Sequence, residues 1–356
     1  MVSSLERRFR WGIVGTGVVA RQFATQLSMT DNARLSAVAS GTRSHAEAFA
    51  AAFGADVAYD TDEDLLADKS IDIVYIASPA ALHHRHCMTA LAARKAVLCE
   101  KPFTLNAGQA HEIAARAQDM RVFCMEAMWM RFSPLVQRTR ELVKAGELGP
   151  IAYFHADIGY RAAEARLRTA LPGHGALLNF GVYGVSLAHF LFGPPQSVQS
   201  AMRQHADGLD ACVSTTLVYP THLSTINASI AATTSNEATV AGASGRLRLG
   251  APFFDPGYLQ QFRSQAPSAE PQPPRRSRSL LDRVPYAGLL RGSIVTALLS
   301  RQGSVAPRPA GANGMRREAE EVMQCLAKGK TESSAMPLAD SVAIMETVDR
   351  IRNCWQ

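Results

Sequence analysis

Three stretches of this chain combine residue types and spacings that can do chemistry. Glu100-Lys101-Pro102 closes the apolar run Ala96-Val97-Leu98-Cys99. A strand that stops on Glu-Lys-Pro delivers two charged groups to the carboxyl edge of a sheet, where ligands bind in open α/β folds. Pro102 then removes a backbone donor and forces a turn. Gly15-Thr16-Gly17-Val18-Val19-Ala20 is a G-x-G-x-x-A turn between the apolar run 10–14 and a helical pattern reaching about residue 29. In that context Gly15 permits the tight turn and Gly17 lets the backbone approach a pyrophosphate. Ala20 keeps the helix against the strand, and the helix N-terminus faces the phosphates. The third stretch is Asn179 and Tyr183, four apart and therefore on one face of a helix over 172–192 that is apolar almost all round. Two polar groups on a buried helix need partners, which either a wet pocket or a backbone carbonyl supplies. Gly181 and Gly184 lower that helix's propensity and predict a close approach to its backbone.

The end of the second strand, over 35–40, selects the cofactor. An acid there would bind the ribose 2′-hydroxyl and repel a 2′-phosphate. This chain has Ser40-Gly41-Thr42-Arg43, two hydroxyls and a guanidinium without an acid. The expectation is NADP, with NAD as the lesser possibility and Ser40, Thr42 and Arg43 as the phosphate site; a solvated Arg43 in the first turn of a helix is the bland alternative. His83, His84 and His86 form the one histidine cluster. No acid or cysteine completes a metal set, so no metal is expected, and solvated or cofactor-edge residues at a helix start are the preferred reading.

The elements that must position these residues alternate. Apolar runs at 10–14, 35–40, 71–77, 96–99 and 122–125 are separated by helical patterns at 44–53, 61–67, 83 onward and 107–118, with Thr61 as a cap. Strands alternating with helices of about ten residues mean βαβ units and a doubly wound parallel sheet. Beyond a helix over 135–145, β-rich runs at 151–160, 196–202, 211–219, 223–231, 237–242 and 246–249 predict a largely antiparallel sheet, open on one face to a partner subunit. Two helices, 317–327 and 338–353, end the chain. The expected division is a dinucleotide-binding domain over 1–127 and a substrate and dimerisation domain over 128–356.

Composition narrows the function classes. Hydrophobic residues make 47% and charged residues 19% of the 356, an ordinary globular balance, and aromatics at 7% argue against a stacking surface for nucleic acid. The net charge of +6 is carried by 271–309, where seven arginines meet one acid, Asp282, so the rest of the chain sums to zero. This stretch falls in a Pro- and Arg-rich insertion, about 255–310, that turns apolar over 279–300. A solvated strand connection with a short packed helix is preferred there to contact with a membrane surface. Residues 1–10 are polar and basic with no apolar signal core, and six scattered cysteines form no C-x-x-C pair. A cytoplasmic protein with reduced thiols is expected.

These motifs together resemble the Gfo/Idh/MocA oxidoreductase family. The resemblance rests on Gly15-Thr16-Gly17-x-x-Ala20, Ser78-Pro79 with His83, and Glu100-Lys101-Pro102. It extends to Glu126-Ala127-Met128-Trp129-x-Arg131-Phe132, Gly175-Ala176-Leu177-Leu178-Asn179-x-Gly181-x-Tyr183 and Met336-Pro337-Leu338-Ala339-Asp340-Ser341. The chain looks most similar to the dimeric dihydrodiol dehydrogenase and NADP-dependent D-xylose dehydrogenase branch. The resemblance implies a Rossmann domain, a C-terminal α/β domain with an open sheet used for dimerisation, a catalytic Lys101 and a Lys-Pro bond that is often cis. It also implies hydride transfer between a nicotinamide and a hydroxyl or carbonyl of a sugar or cyclic diol. Lys101 is then expected to hydrogen-bond the substrate oxygen, and Tyr183 to relay its proton with its pKa lowered by clustered cations. Glu100 orients the lysine, and Trp129 and Arg131 line the pocket. Two residues depart from the branch: Asn179 stands where Asp is usual and His174 where Gly is usual, which makes His174 a candidate replacement for the lost titrating group. These departures keep a second possibility open, a cofactor-binding sensor or regulator without turnover.

Overall fold

The computed structural model describes residues 8–161, 172–264, 303–309 and 313–355. Six β-branched and apolar runs form one parallel sheet: β1 (Phe9–Val14), β2 (Ala33–Ala39), β3 (Val57–Tyr59), β4 (Ile73–Ile76), β5 (Ala96–Glu100) and β6 (Cys124–Ala127). Their order is β3-β2-β1-β4-β5-β6, so the chain reverses direction across the sheet between β1 and β4 and leaves a crevice at their carboxyl ends. The sheet is flanked by α1 (Val18–Leu27), α2 (Arg43–Phe53), α3 (Asp62–Ala67), α4 (Ala80–Ala92) and α5 (Ala107–Met120). Thr61 caps α3 by accepting from Asp64 N at 3.1 Å, as its position predicts. The short strand β3 carries too few residues to announce itself by alternation. In the core under the crevice Phe23 stacks on Tyr75 at 3.7 Å between centroids, and Trp11 meets Phe23 at a tilt, 5.5 Å away. The Tyr75 hydroxyl reaches from that core to Glu100 at the sheet edge.

A 3-10 turn (Trp129–Phe132) and α6 (Pro134–Lys144) lead to the second sheet. Its strands are β7 (Ile151–Gly159), β8 (Ser197–Gln204), β9 (Asp210–Val218), β10 (Leu223–Ser229), β11 (Ala238–Gly242), β12 (Gly245–Leu249), β13 (Tyr258–Arg263) and β14 (Gly303–Pro307). They run in the order β14-β13-β12-β11-β7-β10-β9-β8, antiparallel throughout except for the β7–β10 pair. Along β7, Phe154, Ala156 and Ile158 face the core, while Tyr153, His155 and Asp157 face outward. The last two helices, α8 (Gly314–Ala327) and α9 (Leu338–Asn353), return to the first sheet: α8 packs on α1 and the Trp129 turn, and α9 on α5.

Two expectations are corrected. The ends of the presumed 255–310 insertion are strands: β13 pairs β12 and β14 pairs β13 as the edge strand, which extends the sheet. The basic and apolar core of that stretch, 265–302, lies outside the described residues, so the readings of a packed helix or membrane contact fall there. The helix expected over 172–192 begins only after Gly175. It opens with a π-helical turn (Leu177–Gly181) before α7 (Val182–Phe192). Asp210 on β9 accepts from Leu177 N at 2.6 Å and so caps that turn. The close approach predicted by Gly181 and Gly184 is real, but strand β10 makes it. A Cβ on Gly184 would sit 2.6 Å from Ile226 Cγ2, so glycine lets the helix lie directly on the sheet.

Candidate active site

The glycine turn opens a cleft of about 850 Å³ at the switch point between β1 and β4. Val14, Gly15, Thr16, Gly17, Val18 and Val19 form one wall, and Ala77, Ser78, Pro79 and Leu82 the opposite one. Gly15 adopts φ +109°, and a Cβ there would stand 2.5 Å from Ala77 O, so no other residue fits this turn. Nothing lies within 4 Å of a Cβ built on Gly17, and no side chain caps α1. The first-turn N–H groups of α1 and the bare Gly17 backbone therefore present donors to an open cleft. The residues fit a dinucleotide pyrophosphate. Ala20 is fully buried against the sheet, as the motif requires.

At the β2 end the cleft is lined by Ser40 and Gly41, with Ser40 Oγ 3.4 Å from Thr16 Oγ1. Thr42 and Arg43 are outside the lining. Arg43 begins α2 with its guanidinium on Glu47 at 2.9 Å and 4.0 Å from Asp60. Three residues that the sequence did not single out as a unit line the cleft instead: Asp62, Arg85 and His86. Asp62 Oδ2 lies 3.1 Å from Arg85 Nη2 and 2.7 Å from His86 Nε2, and His86 Nδ1 lies 2.9 Å from Ser78 Oγ. The histidine cluster divides. His83 is 1% exposed and ties Ser78 O (2.9 Å) to Pro102 O (2.8 Å), so it braces the two loops from behind and is neither solvated nor at the cofactor edge. His84 points away to Glu112. Burial holds both His83 and His86 below the ordinary histidine pKa.

Lys101 leaves the end of β5 through a cis Lys101–Pro102 bond. Its Nζ donates to Asn179 O at 2.7 Å and sits 4.6 Å from the centroid of the Tyr183 ring. Trp129 Nε1 donates to the Tyr183 hydroxyl at 2.9 Å. Phe254 stacks on the Tyr183 ring at 4.8 Å and meets Trp129 edge-on at 5.7 Å. The β5 edge, the Trp129 turn and the π-helical turn thus bring Lys101, Asn179, Tyr183 and Trp129 together. His174, half-buried in the loop before that turn, has an Nδ1 with no hydrogen-bond partner among the described residues. Phe254 was missed, because nothing in its spacing links it to the helix it stacks on.

The electrostatics differ from expectation in three respects. Tyr183 is raised well above the usual tyrosine pKa, chiefly by burial and then by the Glu100 carboxylate, so it is a protonated phenol at neutral pH. Glu100 accepts from the Tyr75 hydroxyl and, at 3.0 Å, from the Lys101 backbone N–H, so it fixes the lysine's main chain while Asn179 O fixes its ammonium. Arg131 is fully buried, 2.5 Å from Asp340 and 3.1 Å from Ser186 Oγ; it joins the Trp129 turn to α7 and α9 and does not line a pocket. Behind the site, burial raises three carboxyls above the ordinary range: Glu100, Glu126 (to about 7) and Glu318. Glu318, on α8, is fully buried, and neither carboxyl oxygen has a partner among the described residues.

Comparison with known proteins agrees with this geometry. Residues 9–128 match the GFO/IDH/MocA oxidoreductase family with an NAD-binding Rossmann fold, and residues 136–248 match the GFO/IDH/MocA C-terminal domain. Trans-1,2-dihydrobenzene-1,2-diol dehydrogenase of Mus musculus is 31% identical over 354 residues, and that of Homo sapiens 30%, each alignment covering 96% of both chains. The fold is shared with a 3-ketoreductase from Actinomadura kijaniata crystallised with NADP and TDP-benzene (TM-score 0.80, 20% identity, 98% of each chain). It is also shared with an aldose-aldose oxidoreductase from Caulobacter crescentus (TM-score 0.78, 19% identity, 98% of this chain and 97% of that one). With both halves of the chain matched in order and relatives at 30% identity along its length, the protein belongs to the GFO/IDH/MocA family of oxidoreductases.

Proposed function

We propose that this NAD(P)-dependent oxidoreductase uses NADP to interconvert a secondary hydroxyl and a carbonyl on a sugar or cyclic diol. The observation that carries the reading is the meeting of Lys101 Nζ, the Tyr183 ring and Asn179 O at the β5 edge, beside the dinucleotide cleft. The backbone of Gly15 to Ala20 would hold the pyrophosphate, Ser40 would face the ribose, and Ser78 and Pro79 would close the other wall. The nicotinamide, when bound, supplies or accepts the hydride. The protein's part is to hold the substrate oxygen and move its proton. Tyr183 is a neutral phenol whose oxygen already accepts from Trp129, so its own proton is directed to a substrate carbonyl oxygen. It serves as the acid in reduction, and its phenolate must be stabilised by Lys101 when it acts as the base in oxidation. Trp129 and Phe254 offer flat apolar faces beside these donors, which suits a ring carrying hydroxyls. Asn179 contributes a backbone carbonyl to Lys101, a contact that does not depend on whether its side chain is Asn or Asp.

The half-exposed face of the second sheet, including Tyr153 at 41% and Leu223 at 47% exposure, supports a homodimer through that sheet. Six cysteines outside any disulfide support a cytoplasmic location. Among the described residues no helix is long and apolar enough to cross a membrane. The deciding experiment mixes the protein with NADP or NAD and a panel of sugars and diols, and follows nicotinamide absorbance. Turnover with NADP supports the dehydrogenase. Tight NADP binding without turnover across the panel favours the sensor.

A further inference from the structure

We infer that Arg85, held by Asp62 and His86 at the side of the cofactor cleft, contacts the cofactor's 2′-phosphate and selects NADP over NAD. The inference rests on the NADP reading above and assigns its selectivity to a residue outside the usual strand end. Among the residues that line the cleft, Arg85 is the one permanent cation. Arg43, the cation at the end of β2, is outside the lining and turned to Glu47 and Asp60. The ion pairs also locate the Arg85 guanidinium. Arg85 belongs to α4, after β4, yet its Nη2 reaches Asp62 at the start of α3. Asp60, two residues earlier, is the acid that faces Arg43 at the start of α2. The Arg85 head therefore lies at the start of α3, which packs on β2, toward the side where the ribose 2′-position is read in this fold.

Its chemistry suits the task. A guanidinium presents five N–H donors in a plane that matches phosphate oxygens. Asp62 and His86 engage only Nη2; its other nitrogens have no hydrogen-bond partner among the described residues, and the side chain is 56% exposed. Asp62 would repel a phosphate if bare, but its Oδ2 is shared by Arg85 and His86. His86 is in turn anchored to Ser78 in the opposite wall. The cluster aims one cation without leaving an uncompensated anion. Ser40 and Thr16 supply hydroxyls on the same side.

The test compares Arg85→Ala, Arg43→Ala and the unaltered protein by titration with NADPH and with NADH, reading nicotinamide fluorescence, with thermal melts to confirm folding. The expected result is that Arg85→Ala weakens NADPH binding about tenfold or more and leaves NADH within about twofold, a loss typical of one charge-assisted contact. Arg43→Ala should leave both nucleotides within about twofold. Raising salt from about 0.05 to about 0.3 M should weaken NADPH more than NADH, and that difference should shrink in Arg85→Ala. Equal losses of NADH and NADPH in Arg85→Ala would overturn the assignment and place the guanidinium at the adenine or pyrophosphate. So would an NADPH-specific loss confined to Arg43→Ala. An unaltered protein that binds NADH better than NADPH overturns the NADP reading itself, before any variant is compared.

Discussion

The cofactor cleft and the seam behind Lys101 treat charge in opposite ways. In the cleft, Asp62, Arg85 and His86 form a partnered cluster with its guanidinium half in solvent. Water and salt moderate such groups, and single losses there should alter binding while leaving the fold intact. In the seam, Glu100, Glu126 and Glu318 are almost wholly buried, and the nearest cations only partly answer them: Lys101 for Glu100, Arg131 for Glu126. Burial there pushes the acids and Tyr183 above their ordinary values. On the proposed reading the cleft recognises its ligand by charge, whereas the seam handles protons and is sensitive to pH. The two regions share the loops braced by His83, so one fold serves both tasks.

The largest expected effects separate turnover from binding. Lys101→Met should reduce turnover about a thousandfold and Tyr183→Phe about a hundredfold, in the range that positioned proton donors contribute. NADPH binding should stay within about threefold in both variants, measured by fluorescence titration. If binding falls in step with turnover, the cleft and seam are one unit and the comparison breaks.

Next in size is a pH-dependent stability. Glu126 titrates at about 7 in the folded protein because burial outweighs Arg131 and its hydrogen bonds; in the unfolded chain it loses its proton near the ordinary carboxyl value. Between those two values the unfolded state has released the proton and the folded state has not, so stability falls as pH rises. The whole loss amounts to about 3 kcal/mol, complete once the pH exceeds the folded value. Glu126→Gln keeps an oxygen for Phe103 N, which Glu126 Oε1 contacts at 3.2 Å, and carries no proton to lose. Urea unfolding at pH 5 and pH 8 should show the variant gaining on the wild type at the higher pH. The difference between the two proteins cancels the buried histidines, whose depressed values run the other way. A constant difference at both pH values would show that the seam is not dry. Slightly smaller is Gly184→Ala: its methyl would meet Ile226, so a loss of about 1–3 kcal/mol is expected in the same unfolding experiment.

Much of this was readable from residue order, for identifiable reasons. The 3-2-1-4-5-6 sheet followed from apolar runs alternating with helical patterns, and Gly15 announced a turn that only glycine can make. Lys101, Tyr183, Asn179 and Trp129 stand in recognisable motifs and meet in the structure, because those motifs end at one edge. What sequence could not supply was facing. Arg131 and His83 belong to the right motifs but turn inward, and Arg43 turns to its own helix. Arg85, an ordinary helical arginine in sequence, reaches the cleft only because Asp62, 23 positions earlier, draws it there. The Tyr183 ring is covered by Phe254 and Trp129, and Glu318 on α8, more than a hundred residues away, adds to the rise of its pKa. Such pairings depend on tertiary contacts that no local pattern encodes.

The smallest expected effect tests the cleft side most closely. Glu47→Ala removes the acid that pairs with Arg43 across one helical turn. Both groups are more than half exposed, so the midpoint of thermal unfolding should move by no more than about 1–2 °C. The informative reading is the cofactor. If Arg43 were the phosphate site, restrained only by its pair, freeing it would tighten NADPH binding severalfold and leave NADH unchanged. If Arg85 holds that role, the freed Arg43 remains outside the lining, with Asp60 still at hand, and NADPH affinity stays within about twofold. A null result in melting and binding together is therefore the outcome expected of a partnered, solvated charge. A severalfold gain in NADPH affinity would return the selectivity to the strand end.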